Sequence, residues 1–195
     1  TSSDVVRKIK VMMRRLGHRK IKVGHAGTLD PLATGILIVC LGRATKQAEA
    51  LQAQPKEYLT TLALGATTPS FDMEHPVDRT FPYEHITRQM LEEALRTMEG
   101  EQMQLPPVYS AKSIDGKRAY EYARQGTEVE MRRAPVTVYG MRLESFEPPR
   151  ATLRIRCSKG TYIRSIARDL GEKLGSGAYL TALCRTRSGD FTLED

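Results

Sequence analysis

The sequence predicts an α+β fold with a mixed or antiparallel central sheet flanked by helices, and three observations predict it. Strand-like runs of apolar and β-branched residues stand at 58–64, 136–146, 151–157 and 178–191. Three further segments place apolar residues at helical spacing, and strands and helices alternate without a regular βαβ rhythm. With 195 residues the chain is expected to form one domain over 1–195, burying roughly 70% of its unfolded surface with no need of a disulfide or metal staple.

Taken in order, Ser3 is the expected cap of a first helix. Val5, Val6, Ile9, Met13 and Leu16 share one face of it, Arg7, Lys8, Lys10, Arg14 and Arg15 take the others, and Gly17 ends it. After a glycine-rich loop, "ILIVCL" (36–41) reads as a strand and 44–52 as a short helix. "YLTTLAL" is a strand. "TTPSFDMEHPVD" is turn-rich, and the helix after it has a buried stripe of Ile86, Met90, Leu91, Ala94, Leu95 and Met98. The segment 105–129 mixes prolines, a "DG" turn, tyrosines and cations, which places it on the surface. In "ATLRIRC", Leu153, Ile155 and Cys157 alternate with Thr152, Arg154 and Arg156. The last helix follows "SKGT", with Thr161 as cap and Ile163, Ile166, Ala167, Leu170 and Leu174 as its stripe; a final strand closes the fold.

The net charge of +7 is segregated: residues 1–50 carry ten Lys/Arg against three Asp/Glu, while 51–110 are acidic and 111–195 basic again. Two basic regions around an acidic middle point to a polyanionic partner. Cys40, Cys157 and Cys184 are far apart, form no C-x-x-C pair and suit a reducing cytoplasm. No apolar run is long enough to span a bilayer and no signal-like segment is expected; since the chain opens on Thr1, its native start is expected upstream.

The chemistry centres on "GHAGTLDPLATG", Gly24 to Gly35, which sets Asp30 among three glycines, a histidine and a proline. Asp-Pro is a common opening of a turn or helix, so a capping role competes with a chemical one. Arg164 falls in the first turn of the last helix, where the macrodipole disfavours a cation by up to ~1 kcal/mol. A carboxylate or a phosphate would compensate it, and so would solvation at the surface. Tyr58 opens a strand and reads equally as half-buried sheet packing. Nucleotide-binding, serine-hydrolase and zinc-protease motifs are all absent.

Four blocks, "GHAGTLDPLATGILIVCLGRATK", "KEYLTTLALG", "YSAKSIDGKRAYEYARQG" and "SKGTYIRSIARDLGEKLGSGAYLTALCRTRSG", resemble the TruB family of tRNA pseudouridine synthases, in the same order and over nearly the whole chain. The resemblance implies that Asp30 attacks a flipped T-loop uridine so that uracil detaches, turns and rejoins ribose through C5, with no cofactor and no metal. It implies Tyr58 stacked on the base and Arg164 paired with Asp30. His25, Lys46, Tyr162 and Leu183 match positions near the nucleotide, and the loop 110–133, with Lys112, Lys117 and Arg118, acts as a thumb against tRNA. The expected partner is the T stem-loop of tRNA, and the expected state a monomer. The family's Lys-Pro segment before "TSSDVV" and its RNA-binding C-terminal extension are missing, so a truncated catalytic piece is expected. "PSFDMEHP" also departs from the family's acidic D-x-x-D loop. The rival reading is a non-catalytic RNA-binding or tRNA-folding module with the same surface.

Overall fold

The computed structural model describes residues 1–110, 112–114, 116–126 and 129–193, and leaves aside the side chains at 114, 118 and 124. In chain order the elements are α1 (Ser2–Arg15), β1 (Val23–His25), β2 (Thr34–Gly35), β3 (Val39–Leu41), a 3-10 turn (Gly42–Gln47) and α2 (Ala48–Ala53). There follow β4 (Lys56–Leu64), β5 (Ala66–Thr67), β6 (Arg79–Thr80), α3 (Arg88–Thr97), β7 (Gly100–Gln104), β8 (Ser113–Ile114), β9 (Lys117–Arg118) and α4 (Ala119–Arg124). The chain closes with β10 (Ala134–Glu147), β11 (Arg150–Cys157), α5 (Ile163–Lys173), β12 (Ala178–Ser188) and β13 (Phe191–Thr192).

The principal sheet runs β13-β12-β4-β11-β10-β7, antiparallel throughout, and β2 adds to β12 in parallel, so the sheet is mixed. Alternation decides which face is buried. On β4, Thr60, Leu62 and Leu64 are buried while Glu57, Leu59, Thr61 and Ala63 face the more open side. On β11, Ala151, Leu153, Ile155 and Cys157 all point inward. The stripes of α3 and α5 cover that face: Leu91, Ala94, Leu95 and Met98 from one helix, Ile163, Ile166, Ala167 and Leu170 from the other, join a single core cluster. Met90, expected in the stripe, lies at its margin, 37% exposed. The open face is laced by ion pairs, with Arg154 reaching Glu57 at 2.8 Å and Glu144 at 2.9 Å.

Three local expectations shift. The cap of α1 is Thr1, whose hydroxyl accepts from the Asp4 N–H, and Ser3, the expected cap, lies inside the helix; Ser2 is buried against Leu29, whose N–H donates to its hydroxyl. Only Val39–Leu41 of the run 36–41 is strand, pairing with β1, because Ile36 is held by Arg185 of β12 instead. Helix α5 is capped at Tyr162 without a side-chain hydrogen bond, the Thr161 hydroxyl donating to the Ser158 carbonyl. Among the described residues no helix is long and apolar enough to cross a membrane. All three cysteines are free thiols.

Candidate active site

The Asp30 loop is a turn closed by the Ala33 N–H donating to the Asp30 carbonyl at 2.9 Å, with Pro31 setting the backbone that follows Asp30. No helix begins there, so the carboxylate is not spent on a cap. Glycine is required at position 35, where φ is +98° and a Cβ would stand 2.2 Å from the Arg185 carbonyl oxygen. That closeness lets β2 pair with β12, Gly35 opposite Arg185, and lets the Ile36 N–H donate to the Arg185 carbonyl at 2.9 Å. On the other arm the Ser2 hydroxyl brackets Leu29, accepting from its N–H at 3.0 Å and donating to its carbonyl at 3.4 Å. The start of α1 is thereby pinned one residue from Asp30.

Arg164 has the partner its position demanded. Its Nε donates to Asp30 Oδ2 at 2.8 Å and its Nη2 to Asp30 Oδ1 at 2.9 Å, a bidentate fork. Its Nη1 donates to the carbonyls of Tyr109 at 2.6 Å and Ser70 at 3.3 Å. The Arg164 side chain is 4% exposed and that of Asp30 30% exposed, so the cation is sequestered and the carboxylate faces outward. A second carboxylate, Asp72, lies with Oδ2 4.0 Å from Arg164 Nε. Its Oδ1 accepts from the Ser70 hydroxyl at 2.6 Å and the Glu74 N–H at 2.9 Å. Losing one partner of such a pair costs roughly 3 to 5 kcal/mol, because a buried charge is left uncompensated.

Asp30 and Asp72 open onto a shallow cleft whose other walls include Leu32, Ala33, Leu180 and Leu183. Leu183 is half-buried and packs on the core, an apolar wall facing two carboxylates. Tyr58, on β4, stands directly opposite Arg185 on the buried face of the sheet. Burial raises the pKa of its hydroxyl, while the charge and hydrogen bonding of Arg185 act to lower it and the nearby Asp30 adds to the rise. Asp30, Arg164, Tyr58 and Leu183 therefore gather at one end of the sheet.

The other expected residues are more dispersed. His25 lies half-buried in β1 with its Nδ1 buried and unpartnered among the described residues. Tyr162 is fixed by Gln104, which accepts from its N–H at 2.8 Å and donates to its carbonyl at 3.1 Å. Lys46 is exposed in the 3-10 turn. Lys112 donates to the Arg132 carbonyl at 3.2 Å, and Lys117 lies over the Tyr122 ring at 5.8 Å. Arg118 belongs to β9, and its side chain lies outside the described residues. This hairpin follows Tyr109, whose carbonyl Arg164 holds, by a few residues along the chain. Among the described residues no group of His, Cys, Asp and Glu could hold a metal ion.

Sequence reasoning missed Asp72, Lys56 and Arg185. Lys56 is 5% exposed, donates to the carbonyls of Gln52 and Gln54, and has its pKa pushed down to about 8 by burial and by the Arg185 charge. Arg185 lies inside the last quoted block, but its carbonyl partners belong to Gly27, Thr28 and Ile36, far away along the chain, and no local signal points to its burial.

Residues 14–163 match the model of the TruB family pseudouridylate synthase N-terminal domain. A tRNA pseudouridine synthase B of Phocaeicola vulgatus is 56% identical over 196 residues, covering all of this chain and 83% of that protein. The protein of the same name from Flavobacterium johnsoniae is 44% identical over 197 residues, again across the whole chain and 86% of its own length. Among solved structures, one described as a Cbf5-Nop10-Gar1 complex superposes with a TM-score of 0.74 at 30% identity, over 99% of this chain and 46% of that one. An H/ACA RNP bound to a substrate RNA containing 2'-deoxyuridine superposes with a TM-score of 0.70 at 27% identity, over 99% and 45% of the two chains. The match runs across the Asp30 loop, the Tyr58 strand and the start of α5, and the chain belongs to the TruB family of pseudouridylate synthases, isomerases that convert uridine to pseudouridine.

Proposed function

We propose that this chain isomerises the T-loop uridine of tRNA, position 55, to pseudouridine, with Asp30 as nucleophile, Tyr58 against the base and Arg164 orienting the carboxylate. The single observation that carries this reading is the bidentate Arg164 fork, which aims a partly exposed Asp30 carboxylate into a cleft with an apolar wall. The names of the relatives, tRNA pseudouridine synthase B, support tRNA as the substrate. A uracil stacked in a folded loop is out of reach, so the nucleotide is flipped into the cleft at a cost of a few kcal/mol, offset by phosphate contacts and stacking.

Asp30 then adds to C6 of the base or C1′ of the ribose, and either course is covalent catalysis by a carboxylate. The N1–C1′ bond breaks, uracil turns, C5 bonds to C1′, the bond to Asp30 breaks and returns the free carboxylate, and the C5 proton is lost as N1 gains one, so the net change is an isomerisation. Tyr58 stacks on the base and assists removal of that proton, and Leu183 walls the ring. Tyr162 and His25 lie near the nucleotide. The segment 110–133, with Lys112, Lys117 and Arg118, closes on the RNA as a thumb, and Lys46 meets phosphate. The protein acts as a monomeric, single catalytic domain in the cytoplasm.

Release of tritium from C5-labelled uridine in T-loop RNA tests the reading, since a module that only binds or folds tRNA releases none. Asp30→Asn is expected to abolish release while holding RNA affinity within about tenfold, because the amide keeps the turn but is no anionic nucleophile. Substantial turnover by that variant, with deamidation excluded by mass spectrometry, would return Asp30 to a structural role.

A further inference from the structure

Arg185 is 2% exposed and is the largest fully buried side chain of the described residues, none of which places a carboxylate within ion-pair distance of it. A buried cation without a counter-charge is costly, so its geometry has to account for it. Its Nε donates to the Ile36 carbonyl at 2.8 Å, Nη1 to the Thr28 carbonyl at 3.3 Å and Nη2 to the Gly27 carbonyl at 3.1 Å. Thr28 and Gly27 precede Asp30, and Ile36 follows it. One planar group thus holds both arms of the loop, while its own backbone carbonyl accepts from Ile36 and seats Gly35. Across the strand pair, Arg185 faces Tyr58 on the same side of the sheet, and opposite residues stand with Cβ atoms about 4.5 to 5.5 Å apart.

We propose that Arg185 is a positioning residue for the isomerisation, a staple that fixes the two arms of the Asp30 loop and the Tyr58 ring as one rigid unit. This rests on the reading of Asp30 as nucleophile and Tyr58 as the ring against the base. The loop needs such a device because Gly27 and Gly35 both have positive φ, and glycine backbones lose the most freedom on ordering. An arginine suits the task where a lysine does not: three carbonyls in fixed directions match a planar fork, and an ammonium cannot hold all three at those angles. The charge is also informative, since Arg185 opposes the effect of burial on the Tyr58 hydroxyl and so links loop and ring electrostatically as well as sterically.

The test uses the chain as it stands with Arg185→Lys, Tyr58→Phe, the double variant and Asp30→Asn. Two readouts are needed: hydrogen exchange in the free protein and single-turnover rate on T-loop RNA. In Arg185→Lys the amides of Ala33 and Ile36, bonded to the Asp30 and Arg185 carbonyls, are expected to exchange at least about tenfold faster, with Ser165 and Ile166 at the start of α5 unchanged. The single-turnover rate is expected to fall about a hundredfold with RNA affinity within about threefold, and the losses from Arg185→Lys and Tyr58→Phe are expected not to multiply in the double variant. Tyr58→Phe alone, lacking one hydroxyl, is expected to loosen the same loop amides more weakly, and this decides the matter if Arg185→Lys does not fold. Unchanged loop exchange in Arg185→Lys, or in Tyr58→Phe where that variant has to decide, overturns the staple. So do rate losses that multiply. Turnover by Asp30→Asn would instead overturn the reaction mechanism, and the exchange result would still judge the staple on its own.

Discussion

Arg164 illustrates how a residue placed against its local electrostatics is held by tertiary contacts. At the start of α5 the helix dipole opposes it, yet two carboxylates and two carbonyls surround its guanidinium. Arg164→Lys keeps the charge and loses the fork, so partial loss of single-turnover rate with little change in fold is expected. Asp72→Asn should behave differently: it removes charge but keeps an acceptor for Ser70 and Glu74, and the expected result is a rate loss of about tenfold or more with a stability change near ~1 kcal/mol. Equal rates for Asp72→Asn and the parent would show that Asp30 alone satisfies Arg164. A second residue-scale prediction concerns Lys56, pushed down to about 8 from 10.5, and Cys157, pushed up to about 12 from 9.0 by burial. Between pH 8 and 9 the unfolded chain holds the Lys56 proton that the folded chain releases, so stability is expected to rise with pH, by up to about 1.4 kcal/mol. From pH 9 to 10.5 the thiol works the other way, because the unfolded chain loses the Cys157 proton that the folded chain keeps, and the two effects offset. Above 10.5 stability falls. Urea unfolding across this range should lose the initial rise in Lys56→Met and much of the later fall in Cys157→Ala.

At the scale of elements, the long, periodic pieces were legible in the sequence and the short ones were not. The stripes of α3 and α5 and the alternation of β11 each bury one face and so write their period into the chain. Residues 36–38 look like strand by composition, but Ile36 bonds the side chain and carbonyl of Arg185, 149 residues away, and the Ile38 carbonyl accepts from the Ala26 N–H, partners that no local pattern encodes. The same reason hid the contacts of Arg185 and Asp72, whereas the Asp30–Arg164 pair was legible because a cation in the first turn of a helix calls for a partner. The hairpin of β8 and β9 with α4 falls in the segment whose composition predicts a surface position, and its base is tied by the Tyr120 N–H to the Ser110 carbonyl at 3.0 Å and the Ala119 N–H to the Lys112 carbonyl at 2.8 Å. With few apolar residues behind it, this element is expected to exchange its amides far faster than β4 or β11 in the free protein and to gain protection when T-loop RNA is added. Protection at the level of β11 without RNA would end its assignment as a thumb.

Across the whole molecule, charge and catalytic geometry meet at α1. Its hydroxyl-bearing first residue holds Leu29 beside Asp30, and the helix then leads away with Arg7, Lys8, Lys10, Arg14 and Arg15 exposed, followed by Arg19, Lys20 and Lys22. The acids that balance the chain lie elsewhere, with Glu92 and Glu93 on α3 engaged by Arg88 and Gln89 of the same helix. On the proposed function, an RNA entering the cleft would meet a cationic surface anchored to the Asp30 loop. Exposed cations contribute to RNA binding by releasing counterions, at roughly 0.7 to 0.9 units of salt slope per phosphate contact. Neutralising Arg14, Arg15 and Lys20 together is then expected to reduce the slope of log K against log salt by about 2 to 3 units. The fold should not respond, since all three side chains are exposed and in none of the ion pairs of the described residues. The single-turnover rate at saturating RNA should also hold, because these residues attract the substrate without touching the reacting atoms. A slope that stays the same in the triple variant would place the electrostatic footprint on the basic C-terminal half, and a lost rate at saturation would mean that α1 positions the Asp30 loop through its charges as well as through Ser2.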